Sequence, residues 1–191
     1  MHEGEFTGDG SFSGLFRDPL VIIVTAVRIG AALSIFWYPL WGLIWSFIFD
    51  ILDARILLHM VGFSREQYHM WDKNIDWTAY VIMLTVASSY GMFLPLFLLL
   101  FFRFMGQFMY LRTHNTWFFI FFPNLFEAGF LWMVIFYPIP GTVQIDTPVK
   151  FWWLVALFAV KESQEVLLHF IWPRYLLAPW QRLVRPIKFL T

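Results

Sequence analysis

From Trp77 to Phe102 the chain reads WTAYVIMLTVASSYGMFLPLFLLLFF, an apolar run whose division decides the fold. A helix that crosses a bilayer needs about 20 apolar residues, so this run serves either as one tilted span or as two shorter ones. Ser88-Ser89-Tyr90-Gly91, followed by Pro95, supplies turn chemistry in its middle. That favours a break, with Trp77 to Ser89 and Pro95 to Leu111 as separate spans. Working outward, Leu20 to Phe36, Leu40 to Leu58, Trp117 to Tyr137 and Phe151 to Trp172 complete a set of six.

Charge placement tests that count independently, because Lys and Arg accumulate in cytoplasmic loops. Six spans gather Arg17, Arg65, Lys73, Arg112, Arg174, Arg182, Arg185 and Lys188 on one side and leave only Lys150 on the other. Five spans would set Arg65 and Lys73 against Arg112. Six is therefore the better reading, with both termini on the cytoplasmic (or matrix- or stroma-equivalent) side. Tryptophans agree: Trp37, Trp41, Trp152 and Trp153 fall at outer ends, and Trp71, Trp77, Trp117, Trp172 and Trp180 at inner ends, as interface belts do.

Composition points the same way. The chain is 60% apolar and 22% aromatic, and its 14% charged residues fall well short of the roughly 25% of soluble domains. With no cysteine, disulfides, thiolate metal sites and thiol chemistry are excluded. The start, Met1-His2-Glu3-Gly4-Glu5-Phe6, carries no basic segment ahead of an apolar one and is too acidic for a transit peptide. The expected fold is all-α, a six-span polytopic integral membrane protein forming a single membrane domain over 1–191. Within it, 1–18 is a polar segment, 19–172 the bundle, and 173–191 a basic amphipathic tail lying along anionic lipid. Membrane lipids are the expected surroundings, and nothing in the charge pattern points to nucleic acid.

Ionisable residues at membrane depth are costly and mark functional sites by default. Asp50 and Asp53 are three apart near the end of the second span, and Asp72 and Asp76 four apart before the third, so each pair shares a helix face. Convergence of four carboxylates at the inner end requires cations between them, and hard divalent ions take such oxygens. The competing bland reading pairs Asp50 and Asp53 with Arg28 and Arg55, and leaves Asp72 and Asp76 as solvated helix-start residues. By rise per residue, Arg28, Asp50 and Glu162 share a depth and can meet, while Arg103 and Glu127 nearer the midplane are expected to pair. Glu162, Glu165 and His169 share a face of the last span, with Lys161 as a local balancing charge. His59, His69 and His114 carry no readable pattern.

This arrangement resembles the CDP-alcohol phosphatidyltransferases, six-helix membrane enzymes that make phospholipids. Their signature, Asp-x-x-Asp-Gly-x-x-Ala-Arg and then Gly-x-x-x-Asp-x-x-x-Asp, is matched by Asp50, Asp53, Asp72 and Asp76, with the interval one residue longer than the commonest form. Val24-Thr25-Ala26-Val27-Arg28 is similar to a Thr-x-x-Arg in the family's first helix. The chain departs from the pattern at Ala54 and Tyr68, which stand where the family has its two glycines, and at Ala54-Arg55, an Ala-Arg pair three residues early. The likeness implies that Asp50, Asp53, Asp72 and Asp76 hold two divalent ions, Mg2+ or Mn2+. It also implies that Thr25, Arg28 and Arg55 help bind a CDP-linked lipid and that Asp76 acts as general base while CMP leaves. A homo-oligomer would follow from the same likeness. The alternative expectation is a catalytically inactive structural subunit of a larger respiratory, photosynthetic or lipid-handling membrane complex. A transporter ranks last, because no broken-helix repeat is visible in the sequence.

Overall fold

Proline opens three of the helices, where its missing N–H costs nothing and its fixed φ suits the first turn. The computed structural model describes residues 18–113, 115, 117–141, 143 and 147–167, with only the backbone at 65, 66, 69 and 70. All the regular structure among these residues is helical. His114, His169, the N-terminal segment to Arg17 and the tail from Trp180 to Lys188 lie outside the described residues, as do the side chains of Arg65 and His69. The chain divides into two compact units, Met1–Val86 and Ala87–Thr191.

In the first unit, α1 (Pro19–Ser34) starts at Asp18, whose side chain accepts a hydrogen bond from the Leu20 amide at 2.8 Å. A short turn leads to α2 (Pro39–Ile56), which packs back along α1. Gly42 permits this approach, since a Cβ there would meet the backbone of Ile35 at 2.5 Å. The end of α2 winds into a π-helical turn, Leu57–Val61, which stops at Gly62 with φ of 81°, a left-handed conformation suited to glycine.

Next comes α3 (Arg65–Ser89). Its start is fixed by a reciprocal cap: Ser64 Oγ accepts from the Gln67 amide at 3.2 Å and Gln67 Oε1 from the Ser64 amide at 2.9 Å. The helix therefore begins twelve residues ahead of the apolar span expected from Trp77, because capping and not hydropathy sets its first turn. Val21, Val24, Leu57, Val61, Phe63, Tyr68 and Trp71 form a buried cluster joining α1, the π turn and the start of α3.

The expected break falls at Ser88 to Gly91. Amides of Tyr90, Gly91 and Met92 turn back onto Ala87 and Ser88 carbonyls, and Gly91 has φ of 72°. In the second unit, α4 (Phe93–Thr113) is followed by α5 (Trp117–Phe121), α6 (Leu125–Phe136) and α7 (Pro148–Val166). The fifth apolar stretch is thus two helices. Pro123 has no amide to donate and ends α5. Buried Phe126, Phe130, Trp132 and Met133 of α6 form the core against α4 and α7, and Gly129 lets Leu96 and Leu99 approach closely. By length and composition, Phe93–Thr113 and the interrupted Trp117–Phe136 can each cross a membrane.

Candidate functional site

Arg28 is buried on α1, 6% exposed, and its guanidinium reaches all four sequence-selected aspartates. Nη1 lies 2.7 Å from Asp50 Oδ1 and Nε 3.1 Å from Asp53 Oδ2. Nη2 lies 3.0 Å from Asp76 Oδ1 and 3.5 Å from Asp72 Oδ1. A planar fork with five donors suits this multiple engagement in a way that a lysine would not. The last turns of α2 supply Asp50 and Asp53, and the third and fourth turns of α3 supply Asp72 and Asp76.

A second cation closes the other side. Lys73 Nζ sits 2.9 Å from Asp72 Oδ2 and 3.1 Å from Asp76 Oδ2, with its side chain 43% exposed. Burial pushes the Lys73 ammonium down, but Asp76 and Asp72 outweigh it and hold the pKa above the ordinary lysine range. It is a fixed positive charge. Among the described residues, the ion pairs of this cluster set four carboxylates against two cations, an acidic balance that favours binding of a further cation.

The four aspartates are not equivalent. Asp53 is 1% exposed; Tyr68 donates its phenol to Oδ1 at 2.9 Å, while the buried Oδ2 lies 3.1 Å from Arg28 Nε without a hydrogen bond. Burial, then Asp72 and Asp53, push the Tyr68 pKa far above the usual phenol value, so it stays a donor. Asp50, Asp72 and Asp76 each offer an oxygen, all within 4.8 Å of one another. This all-carboxylate donor set fits one hard divalent ion, and the Lys73 ammonium already stands as a cation on two of its three members. Asp53 stands outside this set of three.

Two further residues expected to bind ligand lie on α1 and α2. Thr25 Oγ1 donates to Val21 O at 2.7 Å and accepts from Trp71 Nε1 at 3.2 Å, so it ties α1 to α3. Arg55 is exposed on α2. The sequence reading missed Tyr68, although its position four residues before Asp72 puts it on the same helix face. Ala54 is partly buried against the apolar cluster of the first unit.

The second unit holds a separate charged pairing. Depth along the helix axis assigns Arg103 to Glu127, but Arg103 Nη1 lies 3.6 Å from Glu165 Oε1 and donates to Phe122 O at 3.1 Å. Glu127 pairs with Lys161 at 3.1 Å. Azimuth decides between partners of equal depth: Lys161 and Glu165 share a face of α7 and answer Glu127 and Arg103 respectively. Glu165 Oε1 also accepts from the Asn124 amide at 3.4 Å, so the Arg103–Glu165 pair caps both sides of the α5–α6 break. Glu162 lies in this unit too. Compared with protein-family models, with curated proteins and with solved structures, the chain matches none.

Proposed function

We propose that the chain is a six-span integral membrane protein that transfers a phosphatidyl or phospho-alcohol group from a CDP-activated donor, with a divalent ion held by Asp50, Asp72 and Asp76. The observation that carries this reading is the convergence of those carboxylates, from two helices, to within 4.8 Å around Arg28. The membrane setting is supported by an inversion of the soluble pattern. Arg28, Asp53, Asp72, Arg103 and Glu165 are buried while Trp37, Trp41, Leu94, Phe101, Trp152 and Trp153 are exposed, as lipid solvation favours.

A bound Mg2+ or Mn2+ supplies neutralisation of the charge on the reacting phosphoryl group. The acceptor hydroxyl forms a new P–O bond at the lipid-side phosphorus, the bond to the bridging oxygen breaks, and CMP leaves. Asp76 takes the hydroxyl proton. Its oxygens already accept from Arg28 and Lys73, so proton uptake at Oδ2 requires Lys73, the half-exposed partner, to let go. Arg28 stays to keep the carboxylates in register, and Tyr68 keeps Asp53 in place.

A second reading rests on a specific observation: Arg28 and Lys73 together engage all four aspartates, which suits a non-catalytic subunit of a larger membrane assembly. Melting of the detergent-solubilised protein with Mg2+ or Mn2+, with and without CDP, separates the two, since a ligand of the folded state raises the transition. The transferase reading expects a metal-dependent rise that grows with CDP and vanishes in Asp50→Asn, and loss of CMP release in Asp76→Asn. No shift at millimolar ligand sinks it in favour of the subunit.

A further inference from the structure

The Oδ2 atoms of Asp72 and Asp76 face a cation that belongs to the chain itself. Lys73 Nζ lies 2.9 and 3.1 Å from them, and its side chain is 43% exposed. Arg28, by contrast, is 6% exposed and tied to four carboxylates. The two cations therefore differ in what it takes to move them. Lys73 carries a flexible four-carbon stem, a compact charge and open solvent to swing into, whereas Arg28 could leave only by stranding a buried charge and four partners.

We propose that Lys73 is a built-in competitor for the divalent ion: it occupies the Asp72–Asp76 side of the site and is displaced outward when the ion binds. The inference rests on the divalent-ion reading above and specifies how that ion's access is regulated. Exchange of an ammonium for a divalent ion adds one positive charge beside the carboxylates, so the exchange runs in the direction the cluster's acidity favours. It also frees Asp76 Oδ2 from a lysine contact. One event thus couples metal loading to release of the proposed base.

Direct Mn2+ binding, followed by loss of the free-ion electron paramagnetic resonance signal, tests this on the full chain in detergent. Lys73→Gln keeps a donor for Asp72 and Asp76 but removes the charge; it should bind Mn2+ about tenfold or more tightly than wild type, the order expected for loss of one nearby, partly screened charge. Lys73→Arg keeps the charge in a fork that grips carboxylates more firmly, and should bind no better than wild type. Wild-type binding with an equal or weaker Lys73→Gln overturns the competitor role and leaves the metal reading standing. Binding by neither protein sinks both.

A measurement on the unmutated protein guards against a folding defect in the variants. Acetylation of Lys73 by an amine reagent, read by mass spectrometry, should rise several-fold on adding Mg2+, because the displaced ammonium loses its carboxylate partners. Unchanged reactivity at saturating Mg2+ contradicts displacement.

Discussion

At the scale of single residues, Arg28 is the group on which the first unit's polar interior depends. It makes ion pairs with four aspartates from two other helices, so its loss strands several like charges together. Removal of one partner from a buried ion pair costs about 3 to 5 kcal/mol, and Arg28→Leu is expected at or above the top of that range. Asp50→Asn should cost much less, since the Asp50 side chain is 47% exposed. Comparison of the two by chemical unfolding in detergent checks this, and equal costs would mean that Arg28 is not the hub. The aspartates were legible in the sequence because charged residues in apolar surroundings stand out and because helical spacing assigns them faces. The Tyr68–Asp53 bond was not, because a tyrosine among 24 phenylalanines and 11 tryptophans reads as filling until its hydroxyl is seen to have a buried partner.

At the scale of helices, the interruption at Phe122 to Asn124 is held by two side chains from other helices. Arg103 takes the freed Phe122 carbonyl and Glu165 the Asn124 amide, so backbone groups released by Pro123 are satisfied inside the unit, as an apolar environment demands. Arg103→Leu should lower stability by about 3 to 5 kcal/mol, and Glu165→Leu added to it should restore part of that loss, because a matched apolar pair leaves no orphan charge. Glu127→Gln should leave the Arg103 contribution intact. If Glu127→Gln instead abolishes the effect of Arg103→Leu, Arg103 and Glu127 are the operative pair. Helix starts at Asp18-Pro19, Ser64 to Gln67 and Thr147-Pro148 are set by capping side chains, which lie ahead of the apolar runs at Leu20, Trp77 and Phe151 from which the spans were read. The partner choice was not legible in the sequence, since hydropathy and rise per residue give a height along the axis but no direction around it.

At the scale of the whole molecule, the six-span reading has a direct test that the composition makes simple. With no native cysteine, single cysteines at Ser64 and Gly141 can be labelled with a membrane-impermeant maleimide in intact and opened vesicles. Six spans put Ser64 on the inner, basic side and Gly141 on the outer side, so the two should label under opposite conditions. Labelling of both from one side would remove the topology. That helices dominate the described residues was legible from apolar run lengths alone. Two units were not, because the sequence passes from Val86 to Ala87 inside one helix with no change of composition to mark the boundary.

The π-helical turn at Leu57–Val61 also bears on how the chain tolerates changes of length. A π turn holds one more residue than the α turn it replaces. Each residue added to or removed from a regular helix rotates the downstream chain by about 100°, enough to carry Asp72 and Asp76 off Arg28. A single deletion within Leu57–Val61 can be absorbed by rewinding to α geometry, whereas one within Ser64 to Gln67 breaks the reciprocal cap and throws both carboxylates out of phase. The extra residue is therefore slack stored next to the site, and in a lineage of such chains insertions and deletions should gather there rather than a few positions on.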